Sequence, residues 1–281
     1  MRHRIPDQPL RPVAAVSRND PALRAVRGLT FLRHVYEYGV LYCGLLLFGL
    51  SFFAWSLAAT VLHPLLPRRF GARLGQSTIM WLFRACITAI KASGIVKIDL
   101  SALDTLRDEG PLIIAPNHPS MLDAVLVVSR LPRVACIMKA SIWDNLILGG
   151  GARFAAYIRD DCPFTMIRAA TTALRAGGQL LMFPEGTRTR QNGRYHFKGG
   201  FAFIAKTARV PVQTVFIETN SPFLGKGWSL FKKPAFPLIY RARLGRRYEV
   251  DGAIKPVVRE LENYFRDTLS AGLAAHARDS D

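Results

Sequence analysis

Acid is in short supply in this 281-residue chain: 20 Asp and Glu stand against 38 Lys and Arg, a formal net charge of +18. That shortage argues against cationic partners and favours anionic ones: phospholipid headgroups, nucleic acid or an acidic carrier protein. Cysteine is also scarce. Cys43, Cys86, Cys136 and Cys162 lie far apart without metal-ligand spacing, so they imply no zinc site and no disulfide framework. They read as reduced, mostly buried thiols of a cytosol-facing protein. No internal repeat is visible, and one stretch, Tyr38 to Leu62, lacks charge altogether.

What is present begins with a basic arm. Residues 1–36 hold Arg2, Arg4, Arg11, Arg18, Arg24, Arg27 and Arg33 against only Asp7 and Asp20, with four prolines among them. The uncharged stretch that follows would span about 37 Å as a helix, against ~30 Å of bilayer hydrocarbon, and it is rich in Leu, Val and Phe. A membrane helix is the expectation. A cleaved signal peptide fits poorly, because the apolar stretch starts late, is too long and has no small-residue cleavage site after it. A second apolar segment, Ile79 to Ile90, carries Arg84 at its centre, where a mid-membrane arginine costs about 2.5 to 3.5 kcal/mol. This second segment is expected along the interface or within the protein.

From Ser93 short strands alternate with helices. Strands are expected at 95–100, 112–115, 134–138, 155–158, 180–183, 212–217, 238–244 and 248–251. Helices are expected at 120–129, 142–148, 164–176 and 201–208. The alternation implies an α/β fold with a mixed, mainly parallel sheet covered by helices on both faces. Half of the residues are hydrophobic, enough for a substantial core. Residues 253–277 read as a final amphipathic helix packed on the domain. The organisation expected is therefore an arm (1–36), a membrane-associated helical segment (37–92), an α/β domain (93–252) and a C-terminal helix (253–281).

Two polar clusters leave two of these strands. The first is Ala115-Pro116-Asn117-His118-Pro119-Ser120-Met121-Leu122-Asp123. A residue before proline is pushed towards extended geometry and proline is favoured in a first helical turn, so His118 should close a strand and Pro119 open a helix. Along one regular helix, five positions would leave His118 and Asp123 roughly 140° apart. With His118 outside the helix, the carboxylate can reach back to one ring nitrogen and leave the other basic. Such a pair takes a proton from a hydroxyl near neutral pH, and it needs no Ser or Cys nucleophile if the acceptor brings its own hydroxyl. The competing reading is a helix-capping Asp beside a satisfied His. The second cluster is Phe183-Pro184-Glu185-Gly186-Thr187-Arg188, just past another apolar run. Gly186 allows a tight turn from which Arg188 can present its guanidinium fork to a phosphate; the alternative is a surface ion pair. Open α/β sheets bind ligands at this edge.

Together, His118-Pro-Ser-Met-Leu-Asp123 and Phe183-Pro-Glu-Gly-Thr-Arg188 resemble the glycerolipid acyltransferase family, the lysophosphatidic acid acyltransferases and their relatives. Both motifs are intact and in the family's order, and the resemblance runs from about Ser93 to Val250. It implies a membrane-bound enzyme that moves a fatty acyl group from an acyl carrier protein or coenzyme A thioester to a lysophospholipid hydroxyl. It also implies a cytoplasm-facing site, most naturally at a bacterial inner membrane, and no metal or cofactor. A re-entrant hairpin with both ends cytosolic would match the family's N-terminal helical pair. His118 and Asp123 become the expected catalytic residues, and Asn117, Arg159, Glu185, Gly186, Thr187 and Arg188 the expected substrate-binding ones.

Arg159 enters through Ala155-Ala156-Tyr157-Ile158-Arg159, a divergent form of the family's second motif, with a solvated arginine beside Asp160 and Asp161 as the alternative. Glu185, repelled by a phosphate, is expected to bond acceptor hydroxyls or a neighbouring arginine. The oxyanion is expected on backbone N–H groups near the Pro119 helix or the Glu185-Gly186 turn. Two departures bear on the acceptor. The expected Gly before Tyr157 is absent, and the fourth motif, Val210-Pro211-Val212-Gln213-Thr214-Val215, has Thr214 where a second proline usually stands. They leave open a specialised acceptor, such as an amino-acid lipid or an aryl polyene head group. Outside this family the rivals are a basic nucleic-acid-binding protein, which would interleave exposed aromatics with its cations, and a catalytically dead scaffold.

Overall fold

The computed structural model describes residues 21–189 and 195–278, so the first twenty residues of the basic arm lie outside the described residues. Spatial clustering divides the chain into residues 1–39 and 40–281. In the first unit the expected arm is helical from Pro21, where α1 (Pro21–Leu62) begins. Arg33 pairs with Glu37 one turn later at 2.9 Å.

In the second unit α1 continues to Leu62, and α2 (Arg68–Ala92) takes in the whole of the second apolar segment. The α1 residues Leu41, Phe52, Ser56 and Ala59 are buried, whereas Leu46, Leu50, Phe53, Leu57 and Val61 are exposed. Those spacings of three and four define two stripes of one helix, one packed on protein and one left open. The Phe52 ring lies tilted against Phe83 of α2, with centroids 4.7 Å apart.

The sheet follows: β1 (Val96–Asp99), a 3₁₀ turn (Ser101–Leu106), β2 (Ile113–Pro116), α3 (Asp123–Val128), β3 (Val134–Met138), α4 (Ala140–Trp143), α5 (Gly149–Phe154), β4 (Ile158–Arg159), α6 (Pro163–Arg175), β5 (Gln179–Leu181), α7 (Gly200–Ala208), β6 (Val212–Thr219), β7 (Leu238–Tyr248) and α8 (Ile254–Arg278). The strand order is β1-β7-β6-β2-β5-β3-β4. Among the described residues only β6 and β7 pair antiparallel. The mixed, mainly parallel sheet is thus the architecture expected from the alternation of strands and helices.

Neighbouring residues of each central strand enter opposite layers. Ile114, Leu181 and Cys136 join the core beneath α2 and α3, whereas Ile113, Leu180 and Ala135 join the core beneath α6, α7 and α8. Both faces being covered is why these strands read as continuous apolar runs.

Four element boundaries differ from expectation. The helix expected from Pro119 opens at Asp123, because residues 119–122 turn first to bring Ser120 under the Asp123 carboxylate. The strand expected at 155–158 is β4 at Ile158–Arg159, preceded by α5. The helix expected at 142–148 is confined to Ala140–Trp143. Finally, the strands expected at 238–244 and 248–251 give way to one strand, Leu238–Tyr248, held continuous by its ladder to β6, with 249–251 outside it. Of the four cysteines, Cys86 and Cys136 are buried while Cys43 and Cys162 are exposed.

Candidate active site

β2 and β5 are parallel neighbours, Ile114 lying beside Leu181, so the two polar clusters leave the sheet side by side at one edge. His118 follows β2 by two residues. Its Nδ1 lies 2.8 Å from Oδ2 of Asp123, and that carboxylate also accepts the N–H of Ser120 at 2.7 Å. The Asp123 side chain is completely buried, while that of His118 keeps 17% of its surface. Among the described residues no hydrogen bond is made by Nε2, so this nitrogen is the ring's unengaged base. Phe183 stacks on the imidazole at 3.8 Å with an interplanar angle of 18°. The ring is therefore fixed on one edge by a carboxylate and on one face by an aromatic.

Burial pushes the Asp123 carboxyl above the ordinary carboxylate range, opposed by its bonds from His118 and Ser120. A carboxylate held at such desolvation cost stabilises a cation beside it more strongly than an exposed one would. It fixes the His118 tautomer and favours the imidazolium formed on proton uptake.

Glu185 is placed otherwise than the sequence suggested. Its Oε1 accepts the Thr189 hydroxyl at 2.6 Å and the His118 N–H at 3.3 Å. Thr189 in turn accepts the His118 N–H at 3.1 Å and donates its own N–H to the His118 carbonyl at 2.7 Å. The two clusters are thereby stitched through the backbone of His118. The carboxylate is buried and bonded within this loop, so it holds the base in place, and among the described residues it has no arginine partner. Burial pushes its carboxyl up as well, opposed by the Thr189 and His118 donors.

Asn117 also works inward. Its amide nitrogen donates to the Ile217 carbonyl at 2.9 Å and its oxygen accepts the Ile217 N–H at 2.6 Å. Both ends of the amide clamp the edge of β2 to β6. Arg188 donates from Nη1 to the carbonyls of Leu224 and Gly225, at 3.0 and 2.8 Å. One corner of its fork is committed to the loop after β6, which aims the remainder. Gly186 adopts φ +63, and an added Cβ would lie 3.0 to 3.1 Å from the end of Lys198. The bare glycine thus lets the Lys198 stem lie across the turn.

Arg159 stands at the carboxyl end of β4, three strands along from β2, roughly 14 Å at ~4.8 Å per strand. It bonds Asp144 at 3.1 Å and lies 2.7 Å from an Asp161 oxygen in an ion pair poorly aligned for hydrogen bonding. It is a paired arginine away from the dyad, the alternative to the phosphate role. The missing glycine before Tyr157 is explained here: Ala156 itself adopts φ +53. Thr214, the other departure, is buried in β6 and donates to the Arg246 carbonyl at 2.7 Å, a packing role within the β6–β7 pair.

The expected oxyanion donors before α3 are spent. The N–H groups of His118, Ser120, Met121, Leu122 and Asp123 all have protein acceptors, and Gly186 donates to Phe183. Among the described residues the N–H groups of Thr187 and Arg188 remain without one, which moves the candidate hole onto the second cluster. Sequence reasoning missed three further residues. Thr189 lies one position past the motif, and Lys139 follows β3 at the same sheet edge. Tyr240, on β7, is fully buried with its hydroxyl lacking a hydrogen bond, as is Oδ1 of Asp123. None carries a sequence signal beyond its position after a strand or its apolar surroundings. Among the described residues no cluster of His, Cys, Asp and Glu has the grouping of a metal site.

The Acyltransferase family model matches residues 97–218, which contain both clusters. Over this segment the chain is similar to the acyltransferases. It is 27% identical over 149 residues to the 1-acyl-sn-glycerol-3-phosphate acyltransferase alpha of Mus musculus, covering 50% of this chain and 51% of the relative. Against the 1-acyl-sn-glycerol-3-phosphate acyltransferase of Limnanthes douglasii the identity is 35% over 108 residues, 36% of this chain and 38% of the relative. The chain therefore spans about half or less of the length of these curated relatives. Its fold matches the crystal structure of the 1-acyl-sn-glycerophosphate acyltransferase PlsC from Thermotoga maritima, with a TM-score of 0.62 at 18% identity over 85% of this chain and 97% of that one.

Proposed function

We propose that this acyltransferase moves a fatty acyl group from an acyl carrier protein or coenzyme A thioester to the free hydroxyl of a lysophospholipid such as 1-acylglycerol-3-phosphate. The observation that carries the reading is the buried Asp123 carboxylate 2.8 Å from His118 Nδ1, with Nε2 left unengaged. Nε2 removes the acceptor hydroxyl proton as that oxygen attacks the thioester carbonyl. The tetrahedral oxyanion is held by the Thr187 and Arg188 N–H groups. Its collapse breaks the C–S bond, the imidazolium returns the proton to the departing thiolate, and the products are an ester and a free thiol. Base catalysis of this kind contributes ~10²- to 10⁴-fold and each oxyanion donor ~10²- to 10³-fold. No metal or cofactor is called upon.

For the acceptor phosphate, the uncommitted part of the Arg188 fork, Lys139 and Lys198 are candidate cations among the described residues, with Arg159 farther along the same edge. Thr214, one of the two departures, is bonded within the β6–β7 pair, which supports the lysophospholipid reading over a specialised acceptor. Placement at a membrane is supported by α1. Its Gly28–Leu62 stretch is long and apolar enough to cross a bilayer. Its buried stripe nevertheless packs on protein while Leu46, Leu50, Phe53, Leu57 and Val61 stay exposed, the distribution of a helix lying along a lipid surface.

The test offers labelled acyl thioester to the full chain with a panel of acceptors: a lysophosphatidate, a lysophospholipid with a capped phosphate, and a lysophosphatidate whose hydroxyl is methylated. Transfer fastest to the first and absent for the last is expected. Transfer indifferent to the phosphate would overturn the acceptor assignment.

A further inference from the structure

A hollow of about 290 Å³ opens at the start of α2, lined by His63, Leu66 and Arg68 on one side and by Trp143, Arg153 and Phe154 on the other. It shares no residue with the His118–Asp123 site. Its floor is apolar, with Phe154 buried and packed against Gly71. All of its charge is cationic, since neither Asp nor Glu lines it. Arg153 donates from Nη1 to the Trp143 carbonyl at 2.8 Å, which sets its guanidinium at the rim, and Arg68 has no acidic partner among the described residues. Two guanidinium forks and an imidazole around an apolar floor suit a phosphate carried on an apolar body.

The surroundings say which body. Leu65, Phe70 and Leu146 flank the hollow at 70%, 59% and 81% exposure, large apolar side chains left in water. A free anion gains nothing from them. A lipid headgroup does, because its phosphate meets cations at the depth where its acyl chains meet Leu and Phe. Arg68 and Arg69 also close the apolar stretch of α1 and the turn after it, where a bilayer's hydrocarbon must give way to headgroups.

We propose that this hollow binds the phosphate of an anionic bilayer phospholipid, a second lipid site apart from that of the acceptor. The inference rests on the membrane placement proposed above. The site would fix the α1–α2 turn at headgroup depth and make membrane docking depend on lipid charge.

Vesicle co-sedimentation of the full chain, with phosphatidylcholine alone or mixed with phosphatidylglycerol, separates the possibilities. Two double variants remove equal charge: Arg68→Ala with Arg153→Ala, lining the hollow, and Arg69→Ala with Arg73→Ala, on α2 outside it. The outer pair is expected to lose about 30-fold in binding to the phosphatidylglycerol vesicles, the roughly fivefold per arginine of any cation near an anionic surface. The hollow pair should lose at least tenfold more than the outer pair, while binding to pure phosphatidylcholine and acyl transfer in detergent are unchanged. Equal losses in the two pairs would overturn the site and leave only a diffuse basic field. Inorganic phosphate binding to the detergent-solubilised wild type, lost in the hollow pair without any vesicle difference, would overturn the lipid assignment. Failure of the wild type to bind either vesicle would instead sink the membrane placement itself.

Discussion

Asp123 and Glu185 are two carboxylates buried within one site, and each holds His118 by a different handle: Asp123 the ring, Glu185 the backbone N–H. Burial raises both carboxyls, so both impose a charge-burial cost that grows with pH. For a raised carboxyl the folded state binds the proton more tightly than the unfolded one, so its stabilising share is complete below the unfolded value and is lost as pH rises through the folded value. Glu185→Gln keeps an oxygen for the Thr189 and His118 donors but removes the charge. Its melting temperature should exceed that of the wild type near pH 8, and the two should converge as pH falls towards about 4, the unfolded carboxylate range. A variant less stable than wild type at every pH would contradict this. The His118–Asp123 meeting was legible because the Pro119 break and the five-residue spacing together dictate it. The job of Glu185 was not: its partners, the His118 amide and Thr189, are set by a backbone path that side-chain chemistry does not reveal.

The helical pair docks on α5 through glycine. At Gly75 of α2 an added Cβ would lie 2.8 Å from the Ala155 backbone, and at Gly151 of α5 it would lie 2.7 Å from the Trp55 ring. Three successive glycines weaken α5 by about 1 kcal/mol each against alanine, which is why no helix was expected there. Close approach of α1 offsets that weakness, a tertiary gain invisible to local propensity. β3, α6 and α7 lie within a residue of their expected bounds because their apolar periodicity is uninterrupted. Gly75→Ala should destabilise the protein by about 1 to 3 kcal/mol through overpacking, despite alanine's better helix propensity. Thermal unfolding reads it; an unchanged or higher melting temperature would show that α2 and α5 are not in tight contact.

For the molecule as a whole, +18 and the open stripe of α1 act together. On the proposed membrane placement, the charge would draw the chain to an anionic surface and the stripe would hold it there. Composition made the charge legible and hydropathy the helix, but the burial of one α1 face required the packed domain, and with it came the argument for a helix along the surface. Leu50→Asp with Leu57→Asp should leave the fold intact, both residues being exposed, and weaken vesicle partition by more than tenfold, given about 1.5 to 3 kcal/mol for each leucine removed from water. Unchanged sedimentation with vesicles would show that this stripe faces something other than lipid.

The central claim is that Nε2 of His118 is the base. Acyl transfer from labelled thioester to lysophosphatidate, compared between wild type and His118→Ala in the same membranes, tests it most directly. A fall of ~10²- to 10⁴-fold in turnover with acceptor binding retained is the expected result. Equal turnover in the two proteins would contradict the assignment of the base and the mechanism built on it.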